Sequence, residues 1–219
     1  MAAGILFAGA CRQQVVGTLK GDAARETVDS LLTAAMPHPL AASGDALLDV
    51  EQYRFRGHVV LDVSAEGDAS VELSGSSLFG GHREDVAVSL ADDTLRVLDR
   101  ERGRYYEGES LDELLREGTG ARADWTLVVE RMLALPGSER GVETLVVDEN
   151  GARGTTPDGV IRLDIDGGRL TRAVWPNPIA AATFDDRLEV EYGWEGPHLQ
   201  EITATLPERG WRVRFRFSN

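Results

Sequence analysis

The chain is expected to fold as a mainly β, α+β domain, one strongly curved antiparallel sheet of about ten strands closing around about three helices. Three observations predict it. Apolar and polar residues alternate with period two, as in Tyr53, Phe55, Gly57, Val59, Leu61 and Val63 against Arg54, Arg56, His58 and Asp62, which is the pattern of an antiparallel strand with one buried face. Such runs follow one another at hairpin spacing, punctuated by Asp92-Asp93, Asn150-Gly151 and Gly167-Gly168, all turn-forming pairs. Helical signals are confined to one stretch near the N-terminus and to the middle of the chain, so the sheet is otherwise continuous.

Taken in order, residues 1–21 stand apart from a single domain over 22–219. The one apolar N-terminal run, Ile5-Leu6-Phe7-Ala8-Gly9-Ala10, leads to Cys11, the single cysteine. Small residues before a cysteine resemble the bacterial lipobox, in which the cysteine is acylated and becomes the mature N-terminus. No Lys or Arg precedes Cys11, so the basic end of a signal peptide is expected further upstream. Arg12 follows the cysteine where an inner-membrane retention signal carries aspartate, which favours delivery to the outer membrane if Cys11 is acylated; a disordered tail with an incidental cysteine is the alternative. Residues 13–21 read as a linker.

Ala24, Val28, Leu31, Leu32 and Ala35 recur at helical spacing, with Asp22 as the expected N-cap and Met36-Pro37-His38-Pro39 as the stop. A small-residue linker over 41–45 precedes 47–50, which leads into the strand over 53–63. Strands are expected at 70–73 and 85–90, joined by the loop Gly75-Ser76-Ser77-Leu78-Phe79-Gly80-Gly81. Leu95, Val97 and Arg104-Tyr105-Tyr106 continue the β pattern, and Ser110-Leu111-Asp112-Glu113 opens a helix as a capping box. The remaining strands are 142–148, 160–166, 170–175 and three alternating runs: Leu188, Val190, Tyr192 and Trp194; Ile202, Ala204 and Leu206; Trp211, Val213, Phe215 and Phe217. Residues 151–159 and 176–186 read as loops.

Composition narrows the function. The 219 residues carry 37 acidic and 23 basic side chains, a net charge of -14, and such a field, taken over the whole protein, repels nucleic-acid phosphates and anionic lipid headgroups. No run approaches the ~18 apolar residues of a transmembrane helix. His38, His58, His82 and His198 never fall at metal-ligand spacing, and the acidic pairs are what 37 carboxylates place in turns and on solvated faces. Neither a Gly-x-Ser-x-Gly elbow nor a phosphate-loop lysine is present. No catalytic residue, metal or cofactor is therefore expected. Leu78 and Phe79 stand out instead, as two large hydrophobes between glycines and serines. They either tuck back onto the core or are held out to meet an apolar partner.

Tyr53-Arg54-Phe55-Arg56-Gly57-His58-Val59, the strand–loop–strand around Leu78, the acidic helix after Ser110 and the Leu135-Pro136-Gly137 end of the next helix together resemble the LolB family of outer-membrane lipoprotein receptors, over roughly residues 53–219. The resemblance implies an incomplete β-barrel with helices as a lid over an apolar cavity. It implies a monomer, lipid-anchored at Cys11 on the periplasmic face of the outer membrane, that takes lipoproteins from a periplasmic carrier by their acyl chains and passes them into the inner leaflet. Leu78 matches that family's membrane-inserting leucine. The loop lacks the usual Asn-Pro before it, so Leu78 and Phe79 both remain candidates for the tip. Phe55, Leu61, Leu114, Leu115, Val128, Met132, Leu188, Val190, Val213 and Phe215 would line the cavity, and a filled core fits the same residues. The alternatives are a soluble LolA-like carrier or lipid-sensing periplasmic regulator on the same fold, and a periplasmic hydrolase with a polar pocket.

Overall fold

The structure is a computed structural model that describes residues 16–36, 39–50, 53–64, 69–79, 82–91, 94–100, 103–108, 125–135, 137–138, 141–176 and 187–218. Its elements are β1 (Val16–Lys20), α1 (Asp22–Ala35), β2 (Leu40–Val50), β3 (Tyr53–Val63), β4 (Ala69–Phe79), β5 (His82–Ala91), β6 (Thr94–Asp99) and β7 (Arg104–Gly108), followed by α2 (Trp125–Met132). Then come β8 (Thr144–Asp148), β9 (Gly151–Thr156), β10 (Gly159–Asp166), β11 (Arg169–Pro176), β12 (Arg187–Glu195), β13 (His198–Leu206), a 3-10 turn (Pro207–Arg209) and β14 (Trp211–Ser218).

The strands form one sheet in the order β1-β8-β9-β10-β11-β12-β13-β14-β2-β3-β4-β5-β6-β7. Every adjacent pair is antiparallel, and among the described residues β1 and β7 stand at the two edges, so the sheet is not closed. Seven strands lie between β1 and β2, so α1, which connects them, has to cross the sheet. It packs against β1, β8 and β11, while α2 packs against β13. Laid flat, fourteen strands would span roughly 65 Å, whereas two helices each ~10 Å across would cover roughly 20 Å of it. Yet residues on β3, β4 and β8 to β14 join the helices in a single buried cluster. The sheet therefore curls over α1 and α2, and its concave face is the core.

Ala24, Val28, Leu31, Leu32 and Ala35 of α1 are all buried, as their spacing predicts. Its cap differs from expectation. Asp22 is the first helical residue, and Gly21 stands at the N-cap with φ 57°, a left-handed conformation that glycine adopts without strain. The Gly21 N–H donates to the Glu143 carbonyl at 2.9 Å, which ties the helix start to the chain entering β8. Asp22 pairs with Arg25 one turn on.

The alternation read along residues 53–63 is realised: Phe55, Val59, Leu61 and Val63 are buried, and Arg54, Arg56, His58 and Asp62 are exposed. Four segments read as linker or loop are strand instead. Residues 16–20 form β1, an edge strand that among the described residues pairs only with β8, and one-sided pairing with little burial suits its mixed composition. Residues 41–45 belong to β2, 75–79 to β4 and 151–156 to β9. Small residues in these segments serve close backbone approach. A Cβ on Gly44 would lie 1.9 Å from the Arg216 carbonyl oxygen, and one on Gly154 would lie 2.4 Å from that of Thr144. Gly57 and Gly75 face each other in register; a Cβ on Gly75 would sit 2.4 Å from the Gly57 Cα, and the Phe55 ring reaches over Gly57. These segments, together with the division of the β run over Leu95–Tyr106 into β6 and β7, raise the count from about ten to fourteen among the described residues. Among the described residues there are two α-helices rather than three; the one expected from Ser110 lies outside them.

Candidate functional site: the concave apolar face and the β4–β5 hairpin

Six of the residues expected to line an apolar interior fall on the concave face of the sheet, and two, Val128 and Met132, on the helix α2 packed against it. Phe55, Leu61, Val128, Met132, Leu188, Val190 and Phe215 are buried in one cluster, and half-buried Val213 packs against it. Leu114, Leu115 and Cys11 lie outside the described residues. The face is well filled where α2 meets the sheet. A cavity lined by Val128, Leu188, Ala204, Leu206, Trp211, Arg212 and Val213 has a volume of about 10 Å³, at the lower limit for a single water.

Sequence reasoning missed the groups that fix α2 there. Arg131 is buried, donates from Nη1 to the Pro176 carbonyl at 2.7 Å and lies 5.5 Å from the Trp175 ring centre. This joins a charge-assisted hydrogen bond to a cation–π contact in a water-poor setting. Tyr192, on β12, donates from its hydroxyl to the Arg131 carbonyl at 3.3 Å. The partners are 45 and 61 residues apart in sequence, so no local pattern announces them; an arginine on the helix's apolar side is the one hint.

Burial pushes the Tyr192 phenol well above the ordinary tyrosine value, since the anion would lose its hydration. The unfolded chain releases this proton near pH 10 while the folded one holds it, so stability is full below pH 10 and falls by about 1.4 kcal/mol for each further pH unit. Tyr192→Phe is expected to cost no more than about 1 kcal/mol at pH 7, because the bond it removes is long, and to flatten the loss above pH 10. Urea unfolding midpoints of both proteins across that range check it, and parallel alkaline declines would refute the assignment.

The second half of the site is the hairpin carrying Leu78 and Phe79. Both end β4 instead of lying in a loop: Leu78 pairs with Arg54 on β3 and Arg83 on β5, and Phe79 pairs with His82. Only residues 80 and 81 separate the two strands. The serines and glycines before Leu78 are thus ladder residues, and the hairpin is shorter and stiffer than a seven-residue loop. Leu78 shares the register parity of Arg54 and Arg56, whose side chains are exposed.

His58 and His198 are exposed on their strands. Among the described residues no three or more His, Cys, Asp or Glu side chains gather as a metal site, and no helix is long and apolar enough to cross a membrane. The outer face of β9 to β12 bears a groove of about 520 Å³ lined by Val160, Val174, Pro176, Arg162, Arg172 and Arg187, among others. Arg162 is engaged by Asp164 at 2.7 Å and Arg172 by Glu189 at 2.8 Å. The Glu189 hydrogen bond holds the Arg172 guanidinium above its ordinary range. The Arg172–Glu189 pair bridges β11 and β12, as cross-strand pairs that stiffen a solvated sheet face do, whereas Arg162–Asp164 lies within β10.

A scan of the chain against protein-family models and a search of curated proteins each find no match.

Proposed function

We propose that the chain is a LolB-type receptor: an outer-membrane lipoprotein, anchored through Cys11, that receives lipoproteins from a periplasmic carrier and hands them to the inner leaflet. The observation that carries the reading is the open antiparallel sheet curled over helices with a continuous apolar concave face. An incomplete barrel of this kind offers acyl chains a place out of water, and each methylene so shielded is worth about 0.8 kcal/mol. The helices form the lid. With about 10 Å³ free beside Val128, an acyl chain enters only as α2 swings away, so the Arg131 contacts to Pro176 and Trp175 hold the lid shut between loads. No bond is made or broken in the transfer.

The β4–β5 hairpin supplies delivery. Leu78 entering the bilayer contributes roughly 1.5–3 kcal/mol, enough for transient contact and too little to anchor the protein. Cys11→Ala is expected to fold normally and to leave the membrane fraction. Leu78→Glu is expected to accept acyl cargo as the parent does and to slow its transfer to vesicles at least about tenfold, since a carboxylate in place of the leucine reverses the sign of the insertion free energy. Transfer of a fluorescent acylated peptide to vesicles, with native mass spectrometry of the loaded protein, measures both steps. Delivery by Leu78→Glu at the parent's rate, or a parent protein that takes up no acyl probe, would overturn the reading.

A further inference from the structure

Of the 23 basic residues 22 are arginines, in a chain of net charge -14, and five of them gather on the outer face of three adjacent strands. On β14, Arg212, Arg214 and Arg216 alternate with Trp211, Val213, Phe215 and Phe217; on β3, Arg54 and Arg56 flank Phe55. Register aligns them across β2 in three rows, Arg212–Asp49–Arg54, Arg214–Leu47–Arg56 and Arg216–Asp45–His58. Partners two strands apart lie ~10 Å from each other and successive rows ~7 Å. The middle row contains no carboxylate. Arg54 approaches Asp49 at 3.4 Å and Arg216 approaches Glu201 at 3.1 Å, with the arginine side chains 71% and 60% exposed, so both pairs are weak and readily exchanged. Among the described residues Arg56, Arg212 and Arg214 form no ion pair. The rows run on through Arg54 to Leu78 and through Arg56 to Ser76 on β4, the strand that ends at the hairpin.

We propose that this arginine face of β14, β2 and β3 is the surface that receives anionic phospholipid headgroups when the β4–β5 hairpin meets the bilayer. Its orientation on the membrane rests on the reading above. Guanidinium forks take phosphate oxygens two at a time, which ammonium groups do not. The excess of carboxylates elsewhere is repelled by the same surface, so the molecule's field turns this face toward an anionic leaflet and holds the remainder away. Contact is accordingly brief and salt-sensitive. An acidic protein partner offers the same charge, but the stripe's continuity with the strand bearing Leu78 favours the lipid surface.

The test is co-sedimentation of the full Cys11→Ala chain, which carries no acyl anchor and is the parent here, with phosphatidylcholine vesicles prepared with and without phosphatidylglycerol. The parent is expected to bind only the anionic vesicles, and Arg56→Glu with Arg214→Glu is expected to bind them at least about tenfold more weakly. Arg153→Glu with Arg209→Glu, an equal charge change at exposed sites off the stripe, is expected to bind within about twofold of the parent. If the glutamates unfold the protein by circular dichroism, the paired Arg→Gln variant replaces them. Binding indifferent to phosphatidylglycerol, equal losses in the two double variants, or a stripe variant that keeps vesicle binding and loses capture of an acidic carrier protein would each overturn the proposal. Arginine-dependent vesicle binding in a protein that delivers no acyl cargo would sustain it and remove the receptor reading. Normal delivery with arginine-independent binding would do the reverse.

Discussion

Gly57→Ala is expected to lose about 3–5 kcal/mol of folding stability, a large fraction of the 5–15 kcal/mol that holds an ordinary domain. The new methyl would lie 2.2 Å from the Ser74 carbonyl oxygen, 2.8 Å from the Gly75 Cα and 2.8 Å from Cζ of Phe55. Two of those three atoms are backbone, so a rotamer change does not relieve the clash. The strands have to part, and each ladder hydrogen bond lost there leaves buried partners costing about 1–3 kcal/mol. Gly17→Ala is the matched control. Gly17 also lies in a strand, but no atom comes within 4 Å of an added Cβ, so its substitution is expected to be neutral or slightly stabilising. Chemical denaturation of the two variants beside the parent decides the matter: equal midpoints would mean that β3 and β4 do not approach as closely as Gly57 and Gly75 require.

Trp175→Ala is expected to cost about 3–5 kcal/mol. Trp175 is fully buried and heads the described residues in buried side-chain volume. Its ring also carries the Arg131 guanidinium at 5.5 Å, so truncation leaves a cavity and removes the π face that helps to keep a buried charge in place. Trp175→Phe separates the two effects. Among the described residues the indole Nε1 has no hydrogen-bond partner, so phenylalanine sacrifices volume but no bond and is expected to cost about 1–2 kcal/mol. Thermal unfolding with tryptophan fluorescence measures both variants. A loss in Trp175→Phe as large as that in Trp175→Ala would show that the indole edge, not the ring face, anchors α2.

Much of the inward-facing set was legible before any coordinate. Ala24, Val28, Leu31, Leu32 and Ala35 face the core because 3.6-residue spacing leaves them one side of a helix, and Phe55, Leu61, Leu188, Val190 and Phe215 face it because a strand turns alternate side chains to opposite faces. The hairpin at Leu78 was legible as a place and misread as a conformation. Gly75-Ser76-Ser77 has the local chemistry of a flexible loop, but Gly75 is in a strand because Gly57 stands opposite it. Arg131 was unreadable for a related reason: a buried guanidinium acquires meaning only from Pro176 and Trp175, more than forty residues away.

By itself, then, the sequence determined the periodicities, and with them the mainly β class, the amphipathic α1 and the side of each long strand that meets the core. Period and parity are properties of neighbours along the chain. The tertiary structure decided the order of the fourteen strands, the placing of β1 and β7 at the two edges, the strand state of the glycine-rich segments and the gathering of five arginines on one outer face. Each of these depends on which distant backbone comes within hydrogen-bonding reach, and that is settled only when the sheet curls over its helices and all its cross-strand contacts are satisfied together.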